Sequence, residues 1–253
     1  MVGGLRGRAG VVSVNSYEQV RETLRRTTTT VGGVVVSPED HGGGTAGIIA
    51  LVRYIRAEWP HVPIVACCHP GNPYSSQIRA LSLAGVHQFL FIGVDDETHA
   101  LRALFEAAGQ ECASQAVLEQ IKPLLPVRLH YFCEYALSHP RETPSVAAIA
   151  KLLGTHRTTI SRYCEQEQLP PPTELLSWCR LLLVAHLLEH TSRTVESMAH
   201  ELGYPTATAL RNKIKRYTGL RAGEIRSRGG LRLLLERFRA RFPGQAEVRA
   251  AAS

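Results

Sequence analysis

Two segments in the second half of this chain repeat the same three residue types at the same spacing. The triplet Ala150, Gly154 and Ile160 recurs 49 residues later as Ala199, Gly203 and Ala209. A small residue lets one helix cross closely over another, and glycine permits the positive φ of a tight turn. The apolar residue then pins the second helix to the body of the domain. The repeat therefore predicts two helix-turn-helix units.

The stretch between the two repeats, TELLSWCRLLLVAHLLEHT, is helical in pattern and apolar around most of its circumference. A helix of this kind is buried rather than solvated, so we expect a connector packed against both units. Before the first repeat, a helix from about Val127 to His139 opens the domain. A turn follows, in which Thr143 or Ser145 can cap the next helix and Pro144 suits its first turn.

Residues 127–226 resemble the AraC-type DNA-binding domain. The connector follows the family pattern R-L-x-x-A-x-x-L-L, counting Ala185 loosely, through Arg180, Leu181, Ala185, Leu187 and Leu188. The segment LGYPTATALRNKIKRYTGLRAGEIR follows the family signature and retains Gly219 and Arg226. It departs from the signature at Tyr204, Leu210, Ile214, Ala222 and Ile225, where the family has other aromatic residues, proline and tyrosine. The resemblance implies a divergent member that binds DNA.

The resemblance also implies which residues contact DNA. Arg162, on a recognition helix expected from about Thr155 to Glu165, takes the place of a base-reading arginine, and arginine can bind guanine bidentately. Asn212 takes the place of the second base reader. The full set of base-reading candidates is His156, Arg157, Thr158, Thr159, Arg162, Thr208, Arg211 and Asn212, with Thr206 beside them. The phosphate candidates are Lys213, Lys215, Arg216 and Arg221. For each charged residue, the alternative is a solvated helix face.

Charge is divided unequally along the chain. Residues 1–140 hold 11 Lys and Arg against 12 Asp and Glu, whereas residues 141–253 hold 18 against 10. The second part therefore carries the whole net charge of +7. A basic domain beside a neutral one indicates a polyanionic partner, nucleic acid first, although a basic solvated face would give the same count.

The first half alternates short apolar strands with amphipathic helices. We expect strands at Val11–Val14, Val31–Val36, Val62–Cys67 and Phe89–Ile92. The intervening helices are expected at residues 16–26, 46–58, 75–84 and 97–108. This alternation is typical of a parallel sheet covered on both faces. The expected fold class is therefore an α/β domain followed by an all-α domain with two helix-turn-helix units.

Residues 11–108 resemble a response-regulator receiver domain, through the stretches GVVVSPED, IIALVRYIRAEWPHVPIVACC and IRALSLAGVHQFLFIG. Three family positions are replaced: Ser37 stands at the phosphate-accepting aspartate, Cys68 at the hydroxyl residue and Ile92 at the lysine. The first strand of the receiver family, with its acidic metal-binding pair, has no counterpart in this sequence. Aspartyl phosphorylation needs the acceptor carboxylate and a bound cation. The resemblance therefore implies a degenerate receiver- or flavodoxin-like module, used for dimerisation or for sensing something other than phosphate.

Other chemistries find little support in the sequence. The run His41 to Gly44 looks like an esterase oxyanion loop, but no G-x-S-x-G nucleophile motif follows. His69 beside Cys68 lacks an orienting third group. The six cysteines form no C-x-x-C pair or zinc-finger spacing, so we expect free, packed thiols. No catalytic residue, metal or cofactor is expected.

We divide the 253 residues into a receiver-like regulatory domain (1–110), a helical linker (111–126), a double helix-turn-helix domain (127–227) and a C-terminal helix and tail (228–253). The expected function is a sequence-specific bacterial transcription regulator that reads two adjacent major-groove segments without aspartyl phosphorylation. Alternatives are a phosphorylation-dependent two-component regulator and a transposase or recombinase. The expected partners are double-stranded DNA, RNA polymerase and a second copy contacted through the N-terminal domain. Without a signal core or a long apolar run, we expect a cytoplasmic location and no membrane partner.

Overall fold

A computed structural model describes residues 12–14, 16–26, 31–37, 44–69, 75–94, 98–191 and 193–241. The chain divides into two compact units, Met1–Cys112 and Ala113–Ser253. The first contains a parallel sheet with helices, and the described residues of the second contain helices and no strand. The expected fold class, an α/β unit followed by an all-α unit, is confirmed.

From its first helix onward, the unit Met1–Cys112 alternates helices with strands in the order that the sequence predicts. Its elements are α1 (Tyr17–Arg26), β1 (Val34–Val36), α2 (Gly44–Glu58), β2 (Ile64–Cys68), α3 (Ser75–Ala84), β3 (Gln88–Phe91) and α4 (Thr98–Ile121), the last continuing into the second unit. The sheet order is β1-β2-β3, and both pairings are parallel. The central strand β2 is buried along its whole length.

The two faces of this sheet are covered by different helices. Side chains of Ile64, Ala66 and Cys68 pack into a cluster with buried residues of α1, α2 and α3. Val65 and Cys67 point the other way and pack with α4 through Ala108, Leu104 and Phe105. This alternation follows from the two-residue period of a strand, and it explains the uninterrupted apolar run in β2.

Two sequence-based expectations need correction in this unit. The described part of the first expected strand, Val12–Val14, is not in a strand, and Val12 is 69% exposed, so little burial stabilises an extended segment there. The last helix does not end at Ala108. It continues to Ile121 and stops two residues before Pro123, which lacks an amide proton and cannot extend a helix.

The second unit is a helical assembly around one core. Two short 3-10 turns, Lys122–Leu124 and Val127–Leu129, precede its helices. The helices are α5 (His130–Ser138), α6 (Val146–Leu152), α7 (Arg157–Gln166), α8 (Pro172–His190), α9 (Val195–Glu201), α10 (Ala207–Thr218), α11 (Ala222–Ser227) and α12 (Gly230–Arg241). Residues 111–126, expected as a linker, supply part of this core through Ala113, Val117, Ile121 and Leu125.

Helix α8 is the centre of the second unit. All eight residues from Leu181 to Leu188 are buried, as its all-round apolar pattern predicts. The C-terminal helix α12 lies antiparallel to it, because the Leu231 amide donates to Glu189 at 2.9 Å and Arg241 meets Glu174 at 3.3 Å. The C-terminal helix that the sequence predicts within residues 228–253 therefore packs on the body of this unit.

All six cysteines are buried, which agrees with their expected packing role. Burial raises the pKa of the Cys164 thiol to about 11. A hydrogen bond with Cys179, together with burial, raises the pKa of Cys133. These two thiols therefore stay protonated at neutral pH and contribute as small apolar groups.

Candidate nucleic-acid interface

The first helix-turn-helix unit consists of α6, a tight turn and α7. The Ser145 hydroxyl caps α6 by accepting a hydrogen bond from the Ala148 amide at 3.1 Å. Gly154 has a φ of +63° in the turn, a conformation that glycine adopts readily. Ala150 and Ile160 are each 1% exposed, so the two helices cross closely and α7 is anchored to the core.

The second unit repeats this construction with α9 and α10. Thr194 caps α9 through the Ser197 amide at 3.2 Å, and Thr206 caps α10 through the Ala209 amide at 3.1 Å. Gly203 has a φ of +67°, close to the value in the first unit. A Cβ at this position would collide with the backbone carbonyl of Arg141, so the turn packs tightly against the loop before α6.

The offset of 49 residues between the two helix-turn-helix units does not hold beyond the turn. The anchoring role expected for Ala209 therefore needs correction. The cap of α7 lies two residues after Gly154, whereas the cap of α10 lies three residues after Gly203. The recognition helices are therefore related by 50 residues. As a result Leu210, which is 0% exposed, anchors α10, while Ala209 is only partly buried.

Two arginines hold the second unit to the connector. Arg180 of α8 donates to the Leu202 carbonyl at 2.5 Å, and its guanidinium lies 4.3 Å from the centre of the Tyr204 ring. Arg226 of α11 donates to the carbonyls of Leu188 and Arg193 at 2.9 and 2.5 Å. Arg180 and Arg226, two positions of the family pattern in the sequence, therefore fix the second helix-turn-helix unit on α8.

The first recognition helix, α7, has a buried side and an exposed side. Ile160 and Cys164 face the core, and Arg162 lies on the opposite, exposed side. Among the other candidates, His156, Arg157 and Thr158 are exposed at the start of the helix, and Thr159 is half-buried. His156 is the N-cap, with its Nδ1 accepting from the Thr158 amide at 3.4 Å.

The second recognition helix, α10, buries Leu210, Ile214 and Thr218. Its outer stripe consists of the exposed residues Thr208, Arg211, Asn212 and Lys215. These positions follow the i, i+3, i+4, i+7 spacing of one helix face. The structure thus brings four of the sequence-derived candidates onto a single surface that could enter a groove.

The remaining candidates of the second unit have different surroundings. Arg216 and Arg221 are exposed, and Thr206 caps α10. Lys213 is half-buried with its ammonium 5.4 Å from the centre of the Tyr217 ring. Burial, together with the nearby Arg180 and Arg216, lowers the pKa of this lysine. Its contact with phosphate therefore remains a prediction with less geometric support than that of Lys215.

Sequence reasoning missed the acidic neighbour of Arg211. Glu196, in the first turn of α9, forms an ion pair with the Arg211 guanidinium across the helix-turn-helix turn. The only sequence signal is a glutamate two residues after a threonine cap, which is common at helix starts. Nothing in that pattern indicates a partner on the next helix.

In the unit Met1–Cys112, the three residues that the receiver resemblance singles out lie at the carboxyl ends of the strands. Ser37 follows β1, Cys68 ends β2 and Ile92 follows β3, and parallel strands bring these ends together. Cys68 is 2% exposed, and Ile92 packs against the cluster beneath α4. His69 is exposed, while His41, Gly42 and Gly43 lie outside the described residues.

Among the described residues, no group of three or more histidine, cysteine or acidic side chains could hold a metal ion. No helix in the described ranges has the length and apolar character needed to cross a membrane.

Residues 149–228 match a protein-family model described as a helix-turn-helix domain, which supports an AraC-type DNA-binding domain in this part of the chain. No curated protein sequence matches the chain significantly. One similar solved structure is RcsB from Salmonella enterica serovar Typhimurium bound to the promoter rprA, with 18% identity, a TM-score of 0.34, and coverage of 70% of this chain and 90% of that one. Another is full-length FixJ from B. japonicum, with 17% identity, a TM-score of 0.35, and coverage of 67% and 84%.

Proposed function

We propose that this chain is a sequence-specific transcription regulator that reads two adjacent major-groove segments with α7 and α10. The observation that carries this proposal is the pair of capped recognition helices, each anchored by buried residues and joined through the buried helix α8. Because α8 leaves the two readers little freedom, one chain reads an asymmetric, two-part site. The centres of the two parts lie about one helical turn, roughly 10 bp, apart.

A binding-site selection from a random duplex library tests this function directly. We expect two conserved blocks at that separation, and binding that weakens steeply with salt because each neutralised phosphate contributes about −0.9 to the slope of log K against log salt. Selection of a palindrome only, or of no sequence, would contradict the two-reader proposal. Incubation of the selected duplex with Mg²⁺ separates the alternative of a DNA-processing enzyme, which would cleave or join strands.

We further propose that the unit Met1–Cys112 is a receiver-like module that acts without aspartyl phosphorylation. The support is chemical, since Ser37 and Ile92 replace the groups that accept and stabilise a phosphoryl group. Acetyl phosphate should leave DNA affinity unchanged and label no aspartate in residues 1–110. A stable phosphoaspartate with altered DNA affinity would overturn this proposal. Dimerisation through this unit, contact with RNA polymerase and a cytoplasmic location complete the proposed function.

A further inference from the structure

The ion pair between Glu196 and Arg211 is placed where it can affect sequence reading. Arg211 lies in the middle of the exposed stripe of α10, beside Asn212. Its Nη2 donates to Oε1 of Glu196, the second residue of α9. Both side chains remain accessible, with 50% of the arginine and 61% of the glutamate exposed. The pair is thus open to an approaching duplex.

The fold does not require this pair. In the first helix-turn-helix unit, the second residue of α6 is Ala147, and the residue five positions after the cap of α7 is Ser161. These are the positions that correspond to Glu196 and Arg211, and they carry no charge. The same helix-turn-helix geometry therefore forms without an ion pair, so its presence in the second unit needs another explanation than folding.

Stability does not supply that explanation either. Exposed ion pairs contribute little to folding, because water solvates both charges and two long side chains lose rotamer freedom. A hydrogen bond from its own backbone amide and the Arg211 guanidinium lower the pKa of Glu196, so this carboxylate is ionised at neutral pH. What the pair does change is the set of directions that the Arg211 guanidinium can take.

We propose that Glu196 is a positioning residue that holds Arg211 for base contact and keeps it away from phosphates. The inference rests on the proposed function of α10 as a reader. A free arginine on this stripe would bind any phosphate within reach, which adds affinity without sequence information. The carboxylate occupies one side of the planar guanidinium, leaves its other N–H groups for guanine, and repels the DNA backbone. Specificity then comes partly from a repulsive element.

The test compares Glu196→Gln and Glu196→Ala with Glu201→Gln as a matched control. Glu201 lies on the same helix and loses the same charge in the control, but its partners are Arg193 at 2.5 Å and Ser197 at 2.6 Å. Each full-length variant is first checked by thermal unfolding. Binding is then measured to the duplex that the wild type selects, to single-base variants of it, and to an unrelated duplex over a range of salt.

For both Glu196 variants, we expect discrimination at the base pair read by Arg211 to fall about tenfold. That base pair is identified as the one at which Arg211→Ala loses preference. Binding to the unrelated duplex should tighten, and its salt slope should steepen by about 0.9, one phosphate contact. In the Arg211→Ala background, Glu196→Gln should leave base preference unchanged. Glu201→Gln should change neither preference nor slope.

Three outcomes would overturn the inference. Base preference could be unchanged in the Glu196 variants, the Glu201 control could show the same loss, or the effect of Glu196→Gln could persist without Arg211. In each case a wild type that still selects a two-part site leaves the proposed function intact. If the wild type selects no sequence at all, the proposed function itself fails, and the inference fails with it.

Discussion

The two helix-turn-helix units share their supports and differ in their exposed faces. Both have hydroxyl caps on the first helix, a glycine with positive φ in the turn and an anchor four residues after the second cap. The corresponding outer residues are Thr158, Ser161, Arg162 and Glu165 in α7, and Thr208, Arg211, Asn212 and Lys215 in α10. The buried positions are constrained by packing, whereas the outer positions are free to specify different contacts.

The two recognition helices, α7 and α10, also differ in net charge. Helix α7 holds two basic residues and one acidic residue, and α10 holds four basic residues and no acidic one. We therefore expect α10 to contribute most of the attraction to the DNA backbone and α7 to make fewer backbone contacts.

The largest effect should separate the two turn glycines. Gly203→Ala should lower the free energy of unfolding by about 3–5 kcal/mol, because positive φ adds to a collision with the Arg141 carbonyl. Gly154→Ala should cost only about 1–2 kcal/mol, since its φ is close to that of Gly203 but a Cβ there would have open space around it. Urea unfolding measures both. Gly223→Ala, on a helix with open space, is the control that should be neutral or stabilising, and equal losses at the two turns would refute the difference.

The readers should specify different base pairs. Arg162→Ala should relax preference in one block of the selected site by about 1–3 kcal/mol, and Asn212→Ala should do so in the other block. Site selection on each variant provides the measurement. If both changes blurred the same base pairs, or neither changed any, α7 and α10 would not be independent readers.

The two caps of the recognition helices should contribute unequally to stability. Thr206→Ala should cost about 1 kcal/mol, because the hydroxyl accepts from the Ala209 amide at 3.1 Å. His156→Ala should cost only a few tenths of a kcal/mol, since its acceptor lies 3.4 Å from the Thr158 amide. Thermal unfolding of both variants checks the difference. A larger loss for the histidine would mean that its ring has a further role in the fold.

The smallest effects on DNA affinity are expected at Lys215 and Glu165, which occupy the same position on α10 and α7. The two effects should have opposite signs. Lys215→Ala should weaken binding to all duplexes about equally and reduce the salt slope by about 0.9. Glu165→Gln should strengthen binding to all duplexes slightly, because it removes a negative charge from the same place on α7. Salt titrations of binding decide this. Arg53→Ala, an exposed charge loss on α2, is the control and should change nothing.

The two units also show why sequence predicts some parts of this molecule better than others. The turn glycines and the apolar connector were predictable, because positive φ and complete burial each restrict the residue types at a position. The role of Ala209 was wrong, because one extra residue between Gly203 and the cap of α10 shifts that helix to an offset of 50. A repeat read by spacing alone does not register an insertion inside a turn.

Long-range contacts were beyond the reach of local patterns. The pairing of Glu196 with Arg211 joins residues 15 positions apart on different helices, and no periodicity reports it. The described part of the strand expected at Val11–Val14, residues 12–14, is not a strand for a related reason, since β-branched residues favour a strand only when a neighbour buries them. Which of the outer residues contact bases and which contact phosphates remains a prediction.

The complete burial of Leu181 to Leu188 has a consequence for hydrogen exchange. Amide protons in the middle of α8 can reach solvent only when the core that covers them opens, and that core includes residues from α5 and α12. We therefore expect these amides to exchange at the rate of global opening of the whole helical unit, Ala113–Ser253. The amides of the seven-residue helices α6 and α9, which have solvent on one side, should exchange through smaller local openings.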